Sequence, residues 1–352
     1  MEDWRVREKA YSAARQTVEY HREQAALDPE VHLPALIDSL MAQSRCLREL
    51  YATDAAIDSA TEAVDLLRSL AQARPDAFLP RLATELHDLG RMQAAHGSSE
   101  AALAPTAEAV AILRKLAEVN PDAFLPQLAT SLRHLGTYQG SPDEPEAGLA
   151  STAESVAIFR QLAAVKPDAF LPELVKSLSR LADRQSKLGQ DKEQRASRLE
   201  EVAILRKLAE ARPGEFRPAL AKTLGYIGRF DRGAGWEEPL AFLAEAVAIG
   251  RQLVAEGLDT YVPTLALHLN ELSRGLSWPD QAEASLALAE EALAVSWLHF
   301  PANPADFHRL VEMVLDNLLD LHQVRGSKPE GAVLERINAF KAWRPGERPR
   351  PA

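Results

Sequence analysis

Cysteine occurs once, at Cys46, so an internal disulfide is excluded and no zinc site of thiolates can form. The residue reads as a small buried apolar side chain. Aromatics make up only 6% of the 352 residues, while Ala and Leu dominate, a composition of helices rather than strands. No apolar run approaches the roughly 18–20 residues of a membrane span, and the opening MEDWRVREK has neither a basic leader nor an apolar h-region. The expectation is a soluble, cytoplasmic chain without membrane contact. Basic charge is also in deficit: 40 Lys and Arg stand against 51 Asp and Glu, a formal net charge of −11. That balance opposes binding to nucleic acid or anionic lipid, which relies on neutralising phosphates. Catalytic patterns are missing too, with no HExxH, GxxxxGK[ST], GxSxG or paired Cys motif, so no catalytic residue, metal or cofactor is expected.

What the chain has is repetition. NPDAFLPQLATSL, from Asn120, returns as RPDAFLPRLATEL at Arg74, KPDAFLPELVKSL at Lys166 and RPGEFRPALAKTL at Arg212. Leading prolines stand at Pro29, Pro75, Pro121, Pro167 and Pro213, each 46 residues after the last, and second prolines at Pro34, Pro80, Pro126, Pro172 and Pro218. A fixed period of this length marks a stacked array whose units bury their apolar faces against neighbours.

Each unit reads as two helices. The first opens at the proline turn, where Pro suits a position lacking an intrahelical N–H partner and an early Asp suits the helix N-terminus. Its apolar stripe recurs as Leu36, Leu82, Leu128, Leu174 and Leu220, and one turn later as Leu40, Leu86, Leu132, Leu178 and Leu224, a continuous leucine seam. A polar or glycine-rich surface loop follows, as in GSPDEPEAG from Gly140 and DRGAGWEEP from Asp231. The second helix is EAVAILRKLAEV from Glu108 and its relatives, with an arginine in phase at Arg22, Arg68, Arg114, Arg160, Arg206 and Arg251. One shared job is expected of that arginine: a stem on apolar surface, with its charge reaching solvent or a neighbouring carboxylate. The spacing predicts an all-α solenoid over residues 1–344, with a capping helix at 4–26, repeats starting near 29, 75, 121, 167, 213, 258 and 304, and a disordered tail at 345–352. The last units drift, Tyr261 and Phe307 replacing Phe78, Phe124, Phe170 and Phe216 after a one-residue deletion.

Leu86, Leu89 and Gly90 followed by Ala102 and Ala109, and Leu132, Leu135 and Gly136 in the next unit, resemble the tetratricopeptide pattern of large residues, large-Gly and spaced alanines. The period of 46 rather than about 34 is similar to long-repeat variants such as kinesin light chain. Gly148, Gln194 and Leu240 stand where Ala102 does, and a HEAT or armadillo array of period about 40–47 fits the spacing equally well. Arrays with NPDAFLP-like turns resemble those of actinobacterial proteins, often found beside signalling ATPase or caspase-like modules; no such module is present in this sequence. The resemblance implies a right-handed superhelical α-solenoid of antiparallel helix pairs, a protein-protein interaction fold whose first helices line a concave groove. In that register the residues off the seam are His87 and Arg91, Arg133 and Thr137, Ser179 and Asp183, Gly225 and Arg229, and Asn270 and Arg274, with Arg45 and Arg48 in the first unit and Lys176 and Lys222 two positions before the seam. These are largely basic in an acidic protein, so the groove is expected to hold an acidic or carboxylate-ended peptide of a protein partner. The alternative is that they are solvated groups paired with Glu or Asp of adjacent helices.

Other signals are weak. Gly225, Gly228, Gly233 and Gly235 follow a helix, not a strand, and read as a loop rather than a phosphate cradle. His299, His308 and His322 cluster, with His308 and Glu312 four apart, but no third ligand is spaced to join them. Trp236 and Trp278 sit beside prolines in loops, as partner anchors or as covers for the next seam. Two functions remain open: a non-catalytic adaptor, and a regulatory sensor whose array closes on a small peptide or metabolite.

Overall fold

The structure is a computed structural model that describes residues 2–140, 146–230, 237–276 and 281–343. Trp236, Trp278, the 345–352 tail and the centres of the 140–148 and 231–239 loops lie outside those residues. The chain divides into two compact units, 1–194 and 195–352, each a series of antiparallel helices packed in sequence order, and no strand occurs among the described residues.

The first unit contains α1 (Glu2–Leu27), α2 (Pro29–Glu49), α3 (Thr53–Ala73), α4 (Pro75–Ala95), α5 (Ser99–Val119), α6 (Pro121–Gln139), α7 (Leu149–Val165) and α8 (Pro167–Lys187). One residue joins each second helix to the next first helix: Asp28, Arg74, Asn120 and Lys166, with φ between −131 and −141° and ψ between 74 and 88°. The proline behind each of them excludes the α conformation, so a single residue ends one helix and starts another. Asp28 and Asn120 also accept a hydrogen bond from the backbone N–H three residues on, capping the new helix. At residues 50–52, 96–98 and 188–190 the turn within a pair is three residues long and closes by a Schellman bond, as from Ser98 N–H to Gln93 O and from Gln190 N–H to Gln185 O, whereas nine residues join α6 to α7. Gly97 and Gly189 supply the positive φ that this turn needs, while Tyr51 takes it at φ 60°.

The seam leucines are buried in every pair, with Leu40, Leu86, Leu132 and Leu178 at most 1% exposed. Val64, Val110 and Val156 meet them from the second helices. Burial of one such leucine contributes roughly 1.5–3 kcal/mol, which each hairpin collects only once a neighbour covers it. Helices of one pair cross closely because Gly90 and Gly136 carry no side chain: a methyl at either would overlap the Thr106 or Thr152 hydroxyl.

The second unit begins inside α9 (Asp191–Ala211) and continues through α10 (Pro213–Phe230), α11 (Glu237–Ala255), a 3-10 turn (Asp259–Tyr261), α12 (Val262–Gly275), α13 (Ala282–Trp297), α14 (Pro304–Arg325) and α15 (Gly331–Ala342). Its core is one cluster from Ala221 to Ile337. Here the drift has a packing logic. Gly250 stands where Leu67, Leu113, Phe159 and Leu205 fill the core, and the rings and branches of Tyr261 and Leu265 occupy the space. The carbonyl that closes on Gly228 belongs to Pro239, so the deletion falls before Pro239 and this residue, not Leu240, takes the place of Ala102. Arg198 replaces the Thr106 and Thr152 position, is 5% exposed, and pairs at 2.9 Å with Glu201, which is 3% exposed.

Candidate functional site

The in-phase arginines have a shared job. Within the first unit Arg22, Arg68 and Arg114 fork onto Glu62, Glu108 and Glu154 of the next second helix, and within the second unit Arg206 and Arg251 fork onto Glu245 and Glu291. Nη2–O distances are 2.5–2.8 Å. The two-pronged geometry fixes the register of successive hairpins, while exposure holds each pair to about 0.2–1 kcal/mol. This face neutralises its own charge. The acceptor glutamates open each EAVAI segment, a signal present in the sequence once the 40-residue offset is known.

The face of the first helices differs. In the first unit His87 lies buried between α4 and α6, its Nδ1 2.9 Å from Ser131 Oγ. The His134 ring lies 5.1 Å from it, tilted by 54°, and meets the Tyr138 hydroxyl at 3.2 Å. Burial, then coupling to His87 and the positive charges of Arg133, Arg91 and Arg180, push His134 down to about 3. Arg180 also depresses Arg133 and Arg184, in each case after burial, and Arg184 donates to the Gly136 carbonyl. Three arginines, one each from α4, α6 and α8, thus act on one imidazole.

The sequence-predicted residues distribute unevenly around that centre. Arg91 is exposed and 3.3 Å from Asp88; with Arg48 and Thr53 it lines a recess of about 490 Å³. Arg45 is exposed and close enough to Glu85 to counter the upward push of burial on that carboxyl. Arg133 is paired at 2.8 Å with Glu173, which also takes Lys176 at 2.6 Å. In the second unit Lys222 is exposed, Arg229 lies 3.6 Å from Glu271, and Arg274 is exposed. Asn270 is fully buried, and at Gly225 the His268 ring of the next first helix fills the side-chain space; burial, then Arg229, push His268 down to about 4. The position one past the seam therefore faces the adjacent first helix rather than open surface, because it lies only about 100° round the helix from the leucines. The outward pole is two past the seam, about 200° round, where His134 and Arg180 stand. Those two residues, with Tyr138 and Arg184, are absent from the sequence-based set for that reason.

The His308 ring lies tilted against Phe340 and Trp343, each at 5.0 Å, and His322 Nδ1 lies 2.9 Å from Ser327 Oγ. Among the described residues no three His, Cys, Asp or Glu gather to hold a metal ion, and no helix is long and apolar enough to cross a membrane. Cys46 is free and half-buried.

No protein-family model matches the chain, and no curated protein matches it. Among solved structures, Nro1, the hypoxic regulator of sterol synthesis that is a nuclear import adaptor, overlays with a TM-score of 0.51 at 12% identity, over 95% of this chain and 99% of that one. BtubC (BKLC) from P. vanneervenii covers 71% of this chain and 92% of its own, at 15% identity and a TM-score of 0.48. A circular tandem repeat protein with novel repeat topology aligns at 16% identity and a TM-score of 0.37, over 96% of this chain and 89% of its own. At such identity the first likeness speaks for the helical-repeat fold alone, and the other two carry no argument.

Proposed function

We propose that the chain is a non-catalytic adaptor of the tetratricopeptide type, whose first-helix face in residues 75–187 docks an acidic segment of a protein partner. The observation that carries this reading is the gathering of Arg91, Arg133 and Arg180 from three successive first helices around His134, with Arg91 and Arg133 each beside a carboxylate, in a protein of net charge −11. Fixed guanidinium forks suit carboxylates, and a basic patch on an acidic body steers an acidic partner to one place. Fold likeness to an import adaptor agrees with a scaffold role without naming a partner. The test is fluorescence anisotropy of a labelled oligoglutamate peptide at low and high salt. Saturable binding that weakens with salt, disappears in Arg91→Glu/Arg180→Glu and survives Lys207→Glu supports docking; binding indifferent to the double variant refutes it.

A further inference from the structure

We infer that the second unit carries a separate small-molecule site, between the outward faces of α12 and α14, for a cationic α-amino acid. A recess of about 350 Å³ there is lined by Arg274, Arg309, Glu312, Asp316, Asn317 and Asp320 among others. Its charged groups form no hydrogen bond or ion pair with one another or with any other described residue. Elsewhere several opposite charges do pair. Where opposite charges face each other across neighbouring first helices they pair, as in Arg81 with Asp38, Arg133 with Glu173 and Arg229 with Glu271. At a spacing of three, Arg198 pairs with Glu201 and Arg212 with Glu215, while Arg309 and Glu312 do not pair.

Asp316 and Asp320 occupy the flank of α14 that, on α4 and α12, is covered by the next first helix over His87 and Asn270. Both carboxylates are exposed there. Asn317 anchors the floor, its amide donating to Asn270 Oδ1 at 2.9 Å and to Ser273 Oγ at 3.1 Å. Both of those residues are buried, and Ser273 is itself bonded to the Ser285 carbonyl at 2.8 Å.

Two guanidiniums and three carboxylates in one recess fit a ligand with one carboxylate and two cationic groups. A free basic amino acid has that charge pattern, and its size suits a recess at the lower end of ordinary ligand pockets, about 300–1,000 Å³. Arg274 and Arg309 would take the α-carboxylate as a charge-assisted pair, and Glu312, Asp316 and Asp320 the ammonium and the side-chain cation. This site belongs with the sensor reading of the array and shares no residue with the acidic-peptide face of the first unit.

The experiment is isothermal titration of the full chain with L-arginine, L-lysine and agmatine, the last lacking the carboxylate. L-Arginine or L-lysine binds at one site, and agmatine binds at least about tenfold more weakly, since a charge-assisted contact contributes about 1.5–3 kcal/mol. Arg274→Ala and Asp316→Asn, both exposed and so without effect on the far-ultraviolet circular dichroism, each lower affinity by about the same factor. No heat from either amino acid at millimolar concentration overturns the inference. So does equal binding of agmatine, which would mark a cation-attracting surface only, or affinity unmoved by either variant. The Arg91→Glu/Arg180→Glu variant keeps this binding, so failure here and failure of the docking reading are told apart.

Discussion

The two units solve one packing problem with one hairpin but dress its outward face differently. In the first unit the 46-residue period is strict, the links are single residues before proline, and α4 and α8 turn Arg91 and Arg180 outward while Arg133 and Arg184 are half-buried. The second unit keeps the leucine seam through Leu220, Leu224, Leu265 and Leu269, yet accepts a deletion, a core glycine filled by Tyr261, and a buried ion pair. Its outward face moves from Arg229 paired with Glu271 to the unpaired mixed charges of α14. Periodicity therefore reports burial, which must be uniform for stacking, whereas the faces differ because nothing in stacking dictates them.

The largest break between the units should come from Glu201→Ala. It leaves Arg198 buried without its carboxylate, at a cost of about 3–5 kcal/mol, whereas Ser155→Ala at the matching place in the first unit should cost about 1 kcal/mol. Urea unfolding of both variants checks this, and equal losses would mean that the ion pair contributes no more than a hydroxyl. The seam should show no such contrast. Leu132→Ala and Leu269→Ala, both fully buried, should each cost about 2–5 kcal/mol; a clear difference would show that the second unit has relaxed its core as well as its sequence.

Acid sharpens the comparison further. His87 and His134 in the first unit and His268 in the second all lie below the ordinary histidine value, mainly through burial. A group of this kind takes its proton more readily in the unfolded chain, so its contribution is whole above about 6.5 and is lost as the pH falls toward the folded value. Near pH 5 each of His134 and His268 should cost about 2 kcal/mol. Melting at pH 7 and 5 of the wild type, His134→Gln and His268→Gln checks it, each variant flattening the fall. The smallest effect belongs to the second-helix ladder, where Arg114→Ala and Arg251→Ala should each cost about 0.5 kcal/mol, less at high salt.

Much of this was legible in the chain. Helix boundaries followed from Pro75, Pro121 and Pro167, because proline restricts the residue before it, and the core followed from leucines four apart. Partners across the ladder were not, since a 40-residue offset between Arg68 and Glu108 comes from how hairpins stack, not from any single helix. The face was half legible. Arg91 and Arg48 were readable as surface, but His87 and Asn270 were assigned outward although neighbouring first helices cover that flank. Arg180 appears beside His134 only when α6 and α8 are set side by side.

Hydrogen exchange of the backbone amides, with and without saturating oligoglutamate, tests the central claim most directly. Slowed exchange confined to α4, α6 and α8, with α3, α5 and α7 unchanged, is the predicted result. Protection on the second helices instead, or none on any of the six, would contradict it.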